Sequence, residues 1–390
     1  MKRFKQWWHT RATVSGATLL GISVAAAVQQ QPSLREWTLA RYPTLSIGGD
    51  GSPATEFLRV AGVFRLTANR IAVVNGATNE IRFFDSAGKL VHTFGRTGSG
   101  PGEFRQIGWV GRARDTLFVA DHSLSRISTI ATGGDPELVR STLLTAQGAR
   151  GNFFAGGRLR DGRWLVLTYT SPGWDGPPGV HRLPASAGLI AAAADGRVSW
   201  LAERPGLAVF VHNPTGNIRQ ASVGATAFSP NFYAVAEGPF VWLADSDSDS
   251  LERVNASTAE RRAIRLPLPS VPPSRALVAA ARAREEALAR SDRAREWVKA
   301  KFSATYLPRQ VPRFEALLPG PAGELWVQQY SGNRADSTRY LVLDGELRPL
   351  AWVRAGAGFR VREVGIDYAL GVHEDADGVE TVRLYQLTRK

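Results

Sequence analysis

The sequence predicts an all-β fold: a six-bladed β-propeller over residues 36–390, closed by pairing of its N- and C-terminal strands, with one α-helical insertion at about 274–303. Three observations carry this prediction. A motif-bearing segment repeats at an offset of 46 to 47 residues. Short apolar runs bounded by Gly, Asp and Pro recur at similar spacing as far as the C-terminus. The last unit is one strand short, and the segment ahead of the first unit has a strand to spare.

Residues 1–27 read as a signal peptide outside the fold. Lys2, Arg3, Lys5 and Arg11 make a basic start, Ala12 to Val28 is apolar and rich in small residues, and Ala25 with Ala27 supplies an A-x-A cleavage pattern. The competing reading is an uncleaved anchor, for which a stretch diluted by Thr13, Ser15, Gly16, Thr18 and Ser23 is short and weakly apolar. Cleavage after Ala27 removes four cations and no anion, taking the net charge from +13 to +9. The expected location is periplasmic or secreted. With no Cys there is no disulfide framework, thiol nucleophile, Cys-held zinc, iron–sulfur cluster or lipidated N-terminal Cys.

The repeat begins at Ile47-Gly48-Gly49-Asp50-Gly51, with Glu56-Phe57, Ile71 to Asn75 and Glu80 to Asp85 following. It recurs as Phe94-Gly95-Arg96-Thr97-Gly98-Ser99-Gly100-Pro101-Gly102-Glu103-Phe104, then Leu117 to Asp121 and Arg126 to Ile130. The continuous apolar runs suit strands buried on both faces, and Asp85-Ser86-Ala87-Gly88 suits a hairpin turn. Later units keep the order: turns at Asp161-Gly162 and Asp195-Gly196 lead into Trp164 to Leu167 and Val198 to Leu201. Phe240 to Asp245, Leu325 to Val327 and Tyr340 to Asp344 continue the series. The blades span about 58–95, 105–146, 153–204, 208–268, 312–356 and 358–388, with Glu36 to Ile47 supplying the strand the last one lacks. A count of seven is the alternative.

The run Gly95 to Phe104, with Leu117-Phe118-Val119-Ala120-Asp121 and Arg126-Ile127 after it, resembles an NHL-type repeat. The chain as a whole resembles secreted bacterial six-bladed β-propellers of the NHL/TolB-like group, most closely over residues 47–130. The resemblance implies a ring with a central channel; propeller lyases of this kind bind metal there through histidines from different blades.

Between the fourth and fifth units, Leu266-Pro267-Leu268-Pro269-Ser270-Val271-Pro272-Pro273 is an extended linker. One helix is expected from a cap at Ser274 to about Phe302, rich in Ala and carrying eight basic and four acidic residues. Two readings apply: a basic arm for an anionic membrane or a partner, or a helix packed over one end of the ring with a solvated charged face. The narrow, Ala-rich apolar stripe favours packing. Nucleic acid is not expected as a partner, because no recognition motif accompanies the charge.

The remaining candidates for chemistry each have a plainer structural explanation. Asp245, Asp247 and Asp249 imitate the start of a calcium loop, but the sixth position is Ser250 and the twelfth is Ala256, so the closing ligand is missing. His92, His122, His181, His212 and His373 show no metal-ligand spacing; His122, just after an inner strand, is the best placed. No G-x-S-x-G occurs, and the glycines from Gly95 to Gly102 precede neither a helix nor a Lys-Ser/Thr pair. Trp164, Trp200, Trp242, Trp326 and Trp352 suit packing between blades, and the loop Ser171 to Gly179 with Trp174 is the best exposed aromatic. No catalytic, cofactor-binding or metal residue is therefore nominated. The expected function is an exported binding module for a protein, peptide or glycan on one face of the ring. The alternative is a metal-dependent propeller enzyme, a lyase or lactonase, with its groups converging on the channel.

Overall fold

The computed structural model describes residues 34–145, 152–170, 177–191, 196–217, 221–332 and 336–390; the signal-peptide assignment lies outside them. Two strands, β1 (Arg35–Leu39) and β2 (Leu45–Ile47), precede a series of antiparallel meanders. The first meander is β3 (Val60–Arg65), β4 (Ile71–Asn75), β5 (Glu80–Phe84) and β6 (Leu90–Phe94). The second is β7 (Ile107–Ala113), β8 (Thr116–Asp121), β9 (Arg126–Ala131) and β10 (Glu137–Leu143). The third runs β11 (Asn152–Arg158), β12 (Trp164–Tyr169), β13 (Gly179–Ile190), β14 (Val198–His212) and β15 (Ser222–Ala225). The fourth is β16 (Phe232–Glu237), β17 (Phe240–Asp245), β18 (Ser250–Asn255) and β19 (Arg261–Arg265). Two helices, α1 (Arg275–Leu288) and α2 (Asp292–Lys301), separate it from β20 (Phe314–Pro319), β21 (Leu325–Gln329), β22 (Thr338–Leu343) and β23 (Pro349–Ala355). The chain ends in β24 (Phe359–Val364), β25 (Tyr368–Glu374) and β26 (Glu380–Thr388).

The burial pattern explains the apolar runs. Second strands such as β4 and β8 are buried along nearly their whole length, whereas outer strands such as β6, β10 and β19 are half-exposed or exposed. The first strands touch in succession, β3 to β7, β11, β16, β20 and β24, and β24 touches β3 again. Each meander thus radiates from a common axis. The core is divided into wedges between neighbouring sheets, one of them formed by Leu66, Val74, Phe83, Phe104, Leu117 and Val119.

Closure uses two strands where the sequence suggested one. β2 lies antiparallel to β26, with Leu45 opposite Leu384 and Ile47 opposite Val382, and fills the place of the missing outer strand. β1 runs parallel to β23 and also pairs with the end of β26, through Thr38 and Leu39 opposite Thr388 and Leu387. Trp37 on β1 is buried, its ring centroid 6.2 Å from that of Trp326, with the Arg389 guanidinium 4.4 Å from its ring.

Two expectations need correction. The third meander does not end near residue 204, because β14 continues through Pro205-Gly206 to His212. Pro205 sits opposite Pro184 at a register shift, where neither proline owes the ladder an N–H, so the pair bends the sheet without ending it. The fourth meander accordingly begins at Phe232 and not at 208. The insertion is two helices: α1 stops at Ala289, and Ser291 starts α2 by accepting from the Ala294 N–H at 3.2 Å. The break lets α2 fold back on α1. Ala281, Val298 and Phe302 then bury against Ala227, Phe228 and Val311, with Leu277 and Tyr330 at the edge.

Candidate functional site at the channel mouth

In an up-and-down meander the connections from second to third strand and from fourth strand to the next first strand leave at the same end of the ring. The α1–α2 insertion is such a connection, and the same end gathers a line of aromatic and polar side chains. His122, following β8, donates its backbone N–H to the Gln106 carbonyl at 2.9 Å. Its ring lies where a Cβ on Gly108 would stand, 1.9 Å from the imidazole, so a glycine is required there. The ring is 4.5 Å from that of Phe154, and its Nε2 is buried without a partner. Burial lowers the His122 pKa, against the charge of Asp121.

Phe154 leads on to Tyr169 at 6.1 Å, whose hydroxyl donates to the Phe232 carbonyl at 3.4 Å. Tyr233, on β16, packs 5.5 Å from Phe314; burial and then the nearby Glu315 carboxylate raise its pKa, as do Tyr169 and Tyr330. Tyr330 is pushed up to about 12 by burial and by Glu315, with Arg284 of α1 opposing. Glu315, on β20, accepts from Gln328 Nε2 at 2.5 Å and Ser331 Oγ at 3.3 Å, and lies 3.9 Å from Arg360 Nε. Arg360, on β24, donates to Ser331 Oγ at 3.1 Å. Behind them the buried Tyr340 donates to Gln328 Oε1 at 3.3 Å and accepts from the Val361 N–H at 3.0 Å. Every phenol in this arc keeps its proton at neutral pH, so the arc offers hydroxyl donors, aromatic faces, one carboxylate and one guanidinium. Such a set can orient a polar ligand by stacking and hydrogen bonds.

The other residues weighed from sequence lie apart. His92 is edge-on to Phe83 at 6.3 Å, His181 contacts the Pro177 carbonyl at 2.7 Å, and His212 stacks 6.0 Å from Phe210. His373, on β25, has a buried, unpartnered Nδ1 and a pKa lowered by burial and by Arg383. Among the described residues no three of His, Asp and Glu gather as a metal set. Asp245 and Asp247 pair with Arg182 at 2.9 and 3.3 Å, and Asp249 lies 3.6 Å from Arg265, so the acidic run is neutralised locally. The glycine run is held by Glu103, which accepts from the Gly100 N–H at 2.7 Å and Arg96 Nε at 2.8 Å. Trp164, Trp242 and Trp326 are buried, Trp352 is half-buried and Trp200 is exposed; Trp174 lies outside the described residues. The tyrosines and Glu315 carried no sequence motif. Only the tendency of Tyr to end apolar runs, as in Leu165 to Tyr169, marked their places.

Comparison with known proteins agrees with the ring. A family model described as a 6-bladed β-propeller, DUF5128, matches residues 58–129, the span of the clearest repeat. No curated protein sequence matches the chain. A structure of a DUF4221-family member from Bacteroides vulgatus is similar over 92% of this chain and 100% of its own, with TM-score 0.51 and 10% identity. A Bacteroides fragilis protein provisionally described as exported is similar over 91% of this chain and 99% of its own, with TM-score 0.46 and 12% identity. The ring of meanders, the family model and the DUF4221-family structure together identify the fold as a β-propeller.

Proposed function

We propose that the chain is an exported six-bladed β-propeller of the NHL/TolB-like kind that binds a protein, peptide or glycan ligand at its channel mouth. The six-blade count rests on the closed succession from β3 to β24, and export on the N-terminal sequence. No helix among the described residues is long and apolar enough to cross a membrane. The observation that carries the binding role is the arc from His122 through Tyr169, Tyr233 and Tyr330 to Glu315 and Arg360, drawn from successive blades beside the insertion. Nucleic acid is not proposed as a partner. Membrane contact through α1 and α2 is not proposed either, since Arg282, Arg293, Arg295 and Lys301 all have partners within the protein.

The test is to probe glycan and peptide arrays with the wild-type protein and with Tyr233→Ala. A hit should weaken by about tenfold in the variant, the loss expected for one buried aromatic contact with its hydroxyl. A hit unchanged by Tyr233→Ala and by Arg360→Gln would place recognition elsewhere. The second reading, a metal-dependent lyase or lactonase, draws on His122 Nε2 and His373 Nδ1, two buried ring nitrogens without partners. It predicts stoichiometric metal in the purified protein, and thermal stabilisation by calcium or zinc that His122→Phe abolishes.

A further inference from the structure

The third meander has one strand more than the second or the fourth, and that strand, β15, forms an outer edge beside the insertion. The Thr226 N–H donates to the Ala208 carbonyl at 3.0 Å, and antiparallel pairs alternate between bonded and non-bonded. Ser222 and Gly224 therefore bond to β14, while Ala221, Val223 and Ala225 turn their backbone N–H and C=O groups outward. Both ends of that outward row are occupied by α2. Arg293 donates to the Ala221 carbonyl and, at 2.9 Å, to Ser222 Oγ; Lys301 donates to the Ala225 carbonyl at 3.3 Å. The spacings match. From Arg293 to Lys301 the helix advances about 12 Å, and from Ala221 to Ala225 the strand advances about 13 Å, so α2 runs the length of the edge.

The helix also presses on the face of the strand. A Cβ on Gly224 would stand 2.9 Å from the Trp297 ring, and that ring lies 6.2 Å from the ring of Phe210 on β14. β15 itself carries nothing that discourages pairing, since Ser222-Val223-Gly224-Ala225 has neither a charge nor a proline. Other outer strands are protected by different means. β1 lies along β23, β2 lies along β26, and β19 exposes Arg261, Arg262 and Arg265.

We propose that α2 is an edge guard, an autoinhibitory element that keeps β15 from pairing with the β15 of a second copy of this chain. Uncapped, the outward N–H and C=O groups of one β15 would meet the same row on another, antiparallel about a twofold axis. Two copies of one edge satisfy each other in that arrangement, and no partner of different sequence is needed. Arg293 and Lys301 do what lysines do on an exposed edge strand, but they are delivered by a helix. This role is independent of what the channel mouth binds.

The experiment is light scattering on size-exclusion eluates of the full chain, loaded from micromolar to hundreds of micromolar. Combining Arg293→Ala with Glu285→Gln and Lys301→Met removes both edge cations and leaves no buried charge unpaired. At the highest load the apparent mass of this triple variant should be about twofold that of the wild type. Arg293→Ala alone, at an exposed position, should give a smaller rise and keep the wild-type unfolding midpoint. Adding Val223→Pro to the triple variant should cancel its rise, because the Val223 N–H points away from β14 and a proline there costs the ladder no bond. Wild-type mass in both the triple variant and Arg293→Ala overturns the guard. A rise that Val223→Pro leaves in place overturns pairing through β15. Should the triple variant fail to fold, Arg293→Ala with and without Val223→Pro decides.

Discussion

The repeat is held together residue by residue through side chains that reach backward along the sequence. Asn75 and Asp121 occupy matching places at the ends of β4 and β8. Asn75 Oδ1 accepts from the Leu58 N–H at 3.0 Å, and Asp121 accepts from Arg105, Gln106 and Leu124. Arg82 and Arg126 perform a second shared task two positions out of register. Arg82 donates to the Glu56 carbonyl at 2.8 Å, and Arg126 donates to the equivalent Glu103 carbonyl. Positions two apart on a strand share a face, so the guanidinium has moved one pleat while keeping its target. His122 brings a pH dependence. Burial holds its pKa below 6.5, so the unfolded chain takes up a proton that the folded ring resists. The stabilising contribution is complete above about pH 6.5 and declines as the pH falls below it. Denaturant midpoints should therefore drop between about pH 7.5 and about pH 5.5, and His122→Phe should flatten part of the drop. An unchanged slope in that variant would show that His122 is not the sensor.

At the scale of elements, the insertion depends on one buried cation. Lys301 is 3% exposed, bonds to Glu285 of α1 and to the Ala225 carbonyl, and lies 4.1 Å over the Trp297 ring. Glu285→Gln leaves that charge without its anion and should cost about 2 kcal/mol. Hydrogen exchange over residues 275–301 should quicken, and adding Lys301→Met should restore protection. Exchange that stays at the wild-type rate would mean the pair contributes nothing. This element also shows what the sequence could convey. Capping at Ser274 and the Ala-rich stripe were legible because both are local, and Ser274 does accept from the Leu277 N–H at 3.1 Å. The break at Ala289 was not, because no Gly or Pro marks it and its cause is burial of Val298 and Phe302 against residues some 70 positions earlier. The length of β14 was hidden for the same reason: Pro205-Gly206 reads as a strand end until Pro184 is seen opposite it. The channel-mouth arc was the least legible feature. Its members come from β11, β12, β16, β20 and β24 and the connections beside them, and no spacing rule links Tyr169 to Glu315.

For the whole molecule, stability depends on how the ends meet. Trp37 is buried between the fifth meander and the last, in a cluster with Trp326, Val353 and Leu387. Trp37→Ala should cost about 3 kcal/mol in chemical denaturation, the size expected for emptying a buried aromatic site. Removing everything through Ile47 should do more, since it bares the outer edges of both β23 and β26. That truncated chain should elute earlier than the full chain on size exclusion, because bare edges pair with other chains. Wild-type elution and midpoint would show that β1 and β2 are dispensable.

The double seating of β1 also sets an order of assembly. Its partners lie more than 300 residues away, at Ala351 to Arg354 and Leu387 to Thr388. A chain synthesised from its N-terminus delivers β1 first, yet β1 has nowhere to rest until the final strand has arrived. The earlier meanders can form as they emerge, because each pairs with its own neighbours in sequence. Locking the ring then comes last, since it closes a loop of more than 300 residues. Until then, the first strand to arrive stays exposed to chaperones and proteases.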